Sequence, residues 1–208
     1  MIMYMELNFS DFSSHQIYHL MTQTIIPRPI AWVLTDSGEK NYNLAPFSYF
    51  SAVSSAPPLM MFSAGKKPSG EIKDTVKNVV NTKQCVIHIA SQEDADLVTA
   101  TAATLEHGDS EVLANEVELV EFTGFDLPRI KHCSIAYGCE LFEVKEIGDT
   151  PQSLVFVQVK TLHINDEVVS LDAKQRLKVF ADKVSPLARL GGGEYAGITE
   201  PFAIVRPQ

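Results

Sequence analysis

The feature that most constrains this chain is a succession of short apolar runs broken by turn residues, with few long helices between them. Ile30 to Thr35 reads as a strand, Asp36-Ser37-Gly38 as a turn, and Asn41 to Ala45 as its hairpin partner. Tyr49 to Ser54 and Leu59 to Ser63 are further strand candidates, separated by Pro57-Pro58. Gln84 to Ala90 reads as a buried strand. Ile135 to Ile147 and Leu154 to Ile164 are long strand candidates joined by Gly148-Asp149-Thr150-Pro151. Leu187 to Ala196 carries the Gly191-Gly192-Gly193 turn.

Helical signals are fewer. Ser13 or Ser14 is placed to cap a short helix running to about Met21, with Ile17, Leu20 and Met21 on one face. Pro27 and Pro29 then enforce extended backbone. Ile72, Val76, Val79 and Val80 recur at helical spacing, and Ser69 and Asp74 are each placed to cap that helix. Ser91 with Asp94 three residues on resembles a capping box opening a helix to about Ala103. Glu106 to Gly124 reads as a polar loop excursion. Strands that mostly follow one another disfavour a doubly wound parallel sheet. They predict an antiparallel barrel with peripheral helices, carrying roughly six to eight strands and three or four helices.

The 208 residues suit one domain spanning 1–208, long enough to bury a core without staples. No apolar run approaches the roughly 20 residues of a membrane helix, and Met1 to Phe12 shows no signal-peptide pattern. The three cysteines, Cys85, Cys133 and Cys139, are odd in number and widely spaced. That argues against a disulfide framework and a zinc site and predicts a cytoplasmic protein. His15 and His19 are four apart on a predicted helix but lack an evident third ligand, so no metal is expected. His88 lies in an apolar strand and reads as a satisfied core histidine.

The net charge of −9 disfavours nucleic-acid binding. Yet Thr24 to Ala90 holds seven Lys/Arg and four Asp/Glu, so it carries +3 and the remainder −12. A locally basic segment in an acidic protein suits a small anionic ligand, and a solvated surface gives the same count. There is no G-x-G-x-x-G after a strand, no P-loop and no G-x-S-x-G elbow.

The informative stretch runs from Arg28 to Asn78. Asn43 to Ser54 is rich in small and hydroxylated residues, including Ala45, Ser48, Ser51 and Ser54, which let backbone approach a flat ring. Phe47, Tyr49 and Phe50 supply apolar walls. Lys73 and Thr75 lie near a predicted helix start, where charge, hydroxyl and backbone N–H groups suit a phosphate, and Arg28 adds a cation. These are the needs of a flavin mononucleotide (FMN). They are also the features of an aromatic-cored barrel strand followed by a capped helix.

The ordered blocks go further. Arg28-Pro29-Ile30-Ala31-Trp32-Val33, Asn43-Leu44-Ala45-Pro46-Phe47-Ser48-Tyr49-Phe50, Ser54 with Pro57-Pro58, and Lys73-Asp74-Thr75 with Asn78 stand in one order. His107-Gly108 with Ser110-Glu111, Gly138-Cys139-Glu140-Leu141, and Pro186 to Gly192 follow. In these blocks the chain resembles the flavin reductase-like family, the FMN-binding split β-barrel group that includes flavoredoxin-type proteins. The resemblance runs from about residue 15 to 197. It departs at Thr123 to His132 and at Gly193-Glu194, near the implied pocket rim.

The resemblance implies a mainly β, Greek-key split β-barrel with peripheral helices. It also implies a homodimer with FMN near the subunit interface. Asn43, Ala45, Pro46, Phe47, Ser48, Tyr49 and Phe50 would lie about the ring, with Ser54 and Ser63 near the ring or ribityl chain. Arg28, Lys73 and Thr75 would engage the phosphate, supported by Asn78. Arg189, Gly191 and Tyr195 would close the site, from the same subunit or from its partner. The implied activity is an FMN-dependent oxidoreductase using NAD(P)H as electron donor. Its hydride passes to flavin N5, so no side chain is assigned as a catalytic acid or base. The alternative is an electron-transfer protein serving a redox protein partner. A pyridoxamine-phosphate-oxidase-like enzyme is disfavoured by the NLAPFS and KDT blocks.

Overall fold

The computed structural model describes residues 5–105, 109–149, 151–205 and 207. In chain order the elements are α1 (Ser14–Thr24), β1 (Arg28–Pro29), β2 (Ala31–Asp36), β3 (Tyr42–Phe47), β4 (Phe50–Ser55) and β5 (Pro58–Ala64). Next come α2 (Asp74–Thr82), β6 (Gln84–Ile89), α3 (Ala95–Ala100), α4 (Glu111–Ala114), β7 (Leu119–Val120) and β8 (Arg129–Ile130). The long strands β9 (Ile135–Ile147) and β10 (Gln152–Ile164) follow. The chain then forms β11 (Val169–Leu171), β12 (Leu177–Val179), α5 (Ala181–Val184), β13 (Ala188–Arg189) and β14 (Tyr195–Ala196).

The main sheet has seven strands in the order β3-β2-β6-β9-β10-β5-β4, and every pairing in it is antiparallel. Phe47 on β3 lies 5.0 Å from Phe62 on β5, ring centroid to ring centroid. The two flanks of the sheet therefore meet across a shared core, as a barrel requires.

Side-chain alternation along β2 explains how one strand serves two cores. Trp32 and Leu34 pack with Leu44, Val86, Val98, Val112 and Ile130. Ala31 and Val33 point the other way, to Phe47, Phe62, Val76, Val79, Ile87 and Val155. The strand is thus buried on both faces, which is why it reads as a nearly continuous apolar run. His88 on β6 is fully buried between the layers. Its Nδ1 lies 3.1 Å from the Trp32 carbonyl and its Nε2 accepts the Ile130 N–H at 3.0 Å. One ring nitrogen donates and the other accepts, so the imidazole is neutral and satisfied. Burial holds its pKa down at about 3.

Three expectations need correction. First, neither Ser69 nor Asp74 caps α2. Lys73 is its N-cap residue and no side chain caps that end. Ile72 precedes the helix and Val80 lies off its buried face, each 40% exposed, so only Val76 and Val79 reach the core. Second, the capping box at Ser91 and Asp94 is present, but it closes a 3-10 turn, and α3 ends at Ala100. Third, the described part of 106–124 is more than a loop. It carries α4 and β7 and sends Val112, Val117 and Phe122 into the core.

Candidate functional site

The site grows from β3, the first strand of the main sheet. One edge of β3 pairs with β2. The other would be open, and α4 covers part of it. Ser110 Oγ donates to the Tyr42 carbonyl at 2.5 Å, and the Leu44 N–H donates to Glu111 Oε2 at 3.1 Å. The N-cap residue of α4, Ser110, and its first helical residue, Glu111, thus satisfy two of the strand's outward backbone groups. Glu111 is buried, and desolvation raises the pKa of its carboxyl.

Around Pro46 lies a groove of three adjoining lobes that share Pro46 in their walls. The first, about 80 Å³, is lined by Asn43, Ala45, Lys67, Lys73, Thr75, Glu111 and the run Thr101 to Leu105. The second, about 410 Å³, is lined by Tyr18, Phe47, Ser48, Tyr49, Ser63, Gly65, Lys66, Lys73 and Gln152. The third, about 220 Å³, is lined by Tyr18, Ile30, Ser48, Val98, Thr99, Ala102, Arg189 and Tyr195.

The first lobe opens on the start of α2, with Lys73 and Thr75 in its wall. The first N–H groups of a helix have no partners within it, and no side chain caps this end. Asn43 Nδ2 donates to Thr75 Oγ1 at 3.0 Å. Because Thr75 oxygen is used as the acceptor, its hydroxyl proton remains available to donate. Lys73 stands at the same end and faces both the first and second lobes. Asp74, in the first turn, is paired with Lys67 at 2.6 Å.

In the second lobe Tyr49 supplies an aromatic wall. Its ring sits 5.9 Å from the Arg28 guanidinium carbon and 6.3 Å from the Tyr18 ring. Its hydroxyl is buried and is the one buried side-chain N or O atom without a hydrogen-bond partner among the described residues. Burial raises its pKa, so it is a protonated donor with nothing to donate to. In the third lobe the hairpin of β13 and β14 closes the groove against α3. Tyr195 Oη lies 2.9 Å from Thr99 Oγ1, and the Arg189 guanidinium carbon sits 4.5 Å from the Tyr195 ring centroid.

The structure therefore brings together Asn43, Ala45, Pro46, Phe47, Ser48, Tyr49, Ser63, Lys73, Thr75, Arg189 and Tyr195. Five other expected residues sit elsewhere. Arg28 is buried and binds the carbonyls of Thr22, Ile25 and Leu190 and the Ser48 hydroxyl. It ties the end of α1 and the glycine turn to the barrel, so it is not a free cation for a phosphate. Asn78 donates to Thr35 and Ser37, pinning α2 onto β2. Ser54 lies on an exposed strand and accepts the Ala56 N–H. Phe50 packs against the core containing Phe62. Gly191 packs on Gln23, whose side chain would collide with a Cβ there. His107 and Gly108 lie outside the described residues.

Sequence reasoning missed Tyr18, Lys67, Thr99, Glu111 and the stretch from Thr101 to Leu105. The last had a signal. Thr99-Ala100-Thr101-Ala102-Ala103-Thr104 repeats the small and hydroxylated character of Asn43 to Ser54.

Residues 21–180 match the flavin reductase-like domain. The chain belongs to the flavin reductase-like family. The uncharacterized protein YwrF of Bacillus subtilis is 33% identical over 200 residues, covering 94% of this chain and 95% of that one. Nitrilotriacetate monooxygenase component B from Bacillus cereus superposes with a TM-score of 0.87 at 30% identity, covering 98% of this chain and all of that one. A split barrel domain protein from Shewanella frigidimarina shares the fold at 16% identity, with a TM-score of 0.81 and 96% of each chain covered. This flavin reductase-like chain thus has the mainly β split-barrel fold with peripheral helices. Among its described residues no helix is long and apolar enough to cross a membrane.

Proposed function

We propose that the groove around Pro46 binds FMN and that the protein is an FMN-dependent oxidoreductase whose electron donor is NADH or NADPH. The observation that carries this is the pairing of an uncapped helix end, flanked by Lys73 and Thr75, with an orphaned Tyr49 hydroxyl. A ligand with a phosphate at one end and a ring bearing acceptor atoms at the other satisfies both. The donor set fits FMN: an ammonium, hydroxyls and backbone N–H groups for the phosphate, and small residues with aromatic walls for the ring.

Bound FMN would supply the hydride acceptor and the electron store. The chain's own groups bind and orient. Lys73 and Thr75 hold the anionic end, and Asn43 fixes the direction of the Thr75 hydroxyl. Pro46, Phe47 and Tyr49 wall the ring, while Ser48 and Ser63 offer hydroxyls. Arg28 acts as a positioning residue by holding the glycine turn, and with it Arg189 and Tyr195, against the groove. The exposed β4, next to the groove, is where a second copy of the chain would sit, making the working unit a homodimer.

Anaerobic stopped-flow mixing of the FMN-loaded protein with NADH and with NADPH tests this reading. Flavin bleaching with at least one nucleotide is expected, and none with either would overturn it. A second reading rests on the −12 charge outside Thr24 to Ala90. Such a surface suits docking of a redox protein partner. Reduction by an iron–sulfur or haem protein, with none by either nucleotide, would select it. Oxidation of pyridoxamine phosphate by the purified protein would replace both.

A further inference from the structure

Away from the groove, three chemically different ligands converge. Asp94 closes the turn that opens α3. Its Oδ2 accepts the Ser91 N–H at 2.7 Å and the Ser91 hydroxyl at 2.9 Å, which fixes the carboxylate's orientation. Its Oδ1 lies 2.8 Å from His132 Nε2. Cys133 follows directly. A carboxylate oxygen of Asp94, a ring nitrogen of His132 and the Cys133 sulfur all lie within 4.8 Å of one another. We propose that Asp94, His132 and Cys133 form a binding site for a zinc-class divalent ion.

Three protein ligands of mixed O, N and S type, with one side open, match the coordination that zinc accepts. Asp94 and Cys133 are buried, whereas the His132 side chain is 47% exposed. Entry and a fourth, water ligand therefore come from the His132 side. Zinc bonds of about 2.0–2.3 Å place tetrahedral ligands roughly 3.4 Å apart. The Asp94–His132 contact must therefore open by about half an ångström, and half-exposed His132 is the part free to move. Ser91 supplies the outer-shell support that holds a ligating carboxylate in place. The nearby Arg129 guanidinium bonds the carbonyls of Ile130 and Lys131 rather than Asp94. On binding, the ion takes the place of the hydrogen bond between Asp94 and His132. The Cys133 thiol releases its proton to solvent, and the sulfur bonds the metal.

The ion would clip the turn at the head of α3 to the segment entering β9. The other end of α3 reaches the groove through Thr99. Spacing in the sequence hides this cluster, because Asp94 stands 38 residues before its partner His132.

The test loads the intact protein with zinc, removes excess by gel filtration, and measures retained metal and its zinc K-edge absorption fine structure. About one zinc per chain, with one sulfur neighbour near 2.3 Å, is expected. His132→Ala should weaken zinc binding by more than the roughly 10–100-fold typical of losing an outer-shell group. Cys133→Ser should remove the sulfur signal. The exposed pair His15 and His19 is the rival site, so a His15→Ala/His19→Ala variant should retain zinc. No retained zinc, or retained zinc with only nitrogen and oxygen neighbours that disappears in the His15/His19 variant, would overturn the proposal.

Discussion

Two strands of six residues each, β2 and β4, differ more than their sequences suggest. β2 sits between β3 and β6 and sends alternate side chains into two cores. Among the described residues β4 ends the sheet order and pairs with β5 alone, and it is exposed from Ser51 to Ser55. Its pairing shifts between Ala52 and Ser54, leaving Val53 as an unmatched residue, 51% exposed. Both read as strand candidates in the sequence, β2 as a nearly unbroken apolar run and β4 as a serine-rich one. The difference teaches that burial in this fold follows position in the sheet. β2 is enclosed between neighbouring strands, whereas β4 stands at the end of the sheet with Ser51 to Ser55 exposed.

The largest test of that contrast is in the β2 core. Trp32 is fully buried and its Nε1–H donates to Thr101 Oγ1 at 2.9 Å. Trp32→Ala should lower stability by about 3–5 kcal/mol in urea denaturation. A loss under 1 kcal/mol would mean the two-core account of β2 is wrong.

Arg28 comes next. Arg28→Ala leaves the carbonyls of Thr22, Ile25 and Leu190 without their donor, and should cost about 2–3 kcal/mol. Lys73→Ala, at an uncapped and half-exposed helix end, should change stability by no more than about 0.5 kcal/mol. Equal losses in the two variants would remove the distinction between a tether and a ligand-facing cation.

The buried pair of β2 and β6 should also show in pH dependence. His88 titrates at about 3 in the folded protein, against about 6.5 when unfolded. The unfolded state therefore takes up the proton first, and the stability due to neutral His88 falls as pH drops from 6.5 toward 3. By pH 5 the loss should be about 2 kcal/mol. Comparing pH profiles of wild type and His88→Asn isolates it, and parallel profiles would contradict it.

The smallest effect belongs to β4. Val53→Ser should leave intrinsic stability within about 0.5 kcal/mol, yet shift the monomer–dimer balance in sedimentation. An unchanged balance would place any dimer contact away from this bulge.

These contrasts also show what the sequence can disclose. β9 runs from Ile135 to Ile147 as its pattern predicts, because a long hairpin writes its pairing into local alternation. Lys73 and Thr75 were legible as lying at a helix start, since charge, hydroxyl and helix periodicity are all local. Arg28 was not, because its partners stand at 22, 25 and 190 and are backbone carbonyls without residue identity. α4 was hidden for a similar reason. It has four residues and is held by bonds from Ser110 and Glu111 to β3 rather than by periodicity. Tyr18 enters the groove from α1 through tertiary packing alone.

The central claim is that the groove around Pro46 holds FMN with its phosphate at the α2 end. Titrating FMN into flavin-free wild type and Lys73→Ala, followed by flavin fluorescence, tests it most directly. The wild type should bind with one site per chain, and Lys73→Ala should bind more weakly by about 1.5–3 kcal/mol, or roughly tenfold to a hundredfold. Equal affinity in the two proteins, or no binding by the wild type, would contradict the assignment.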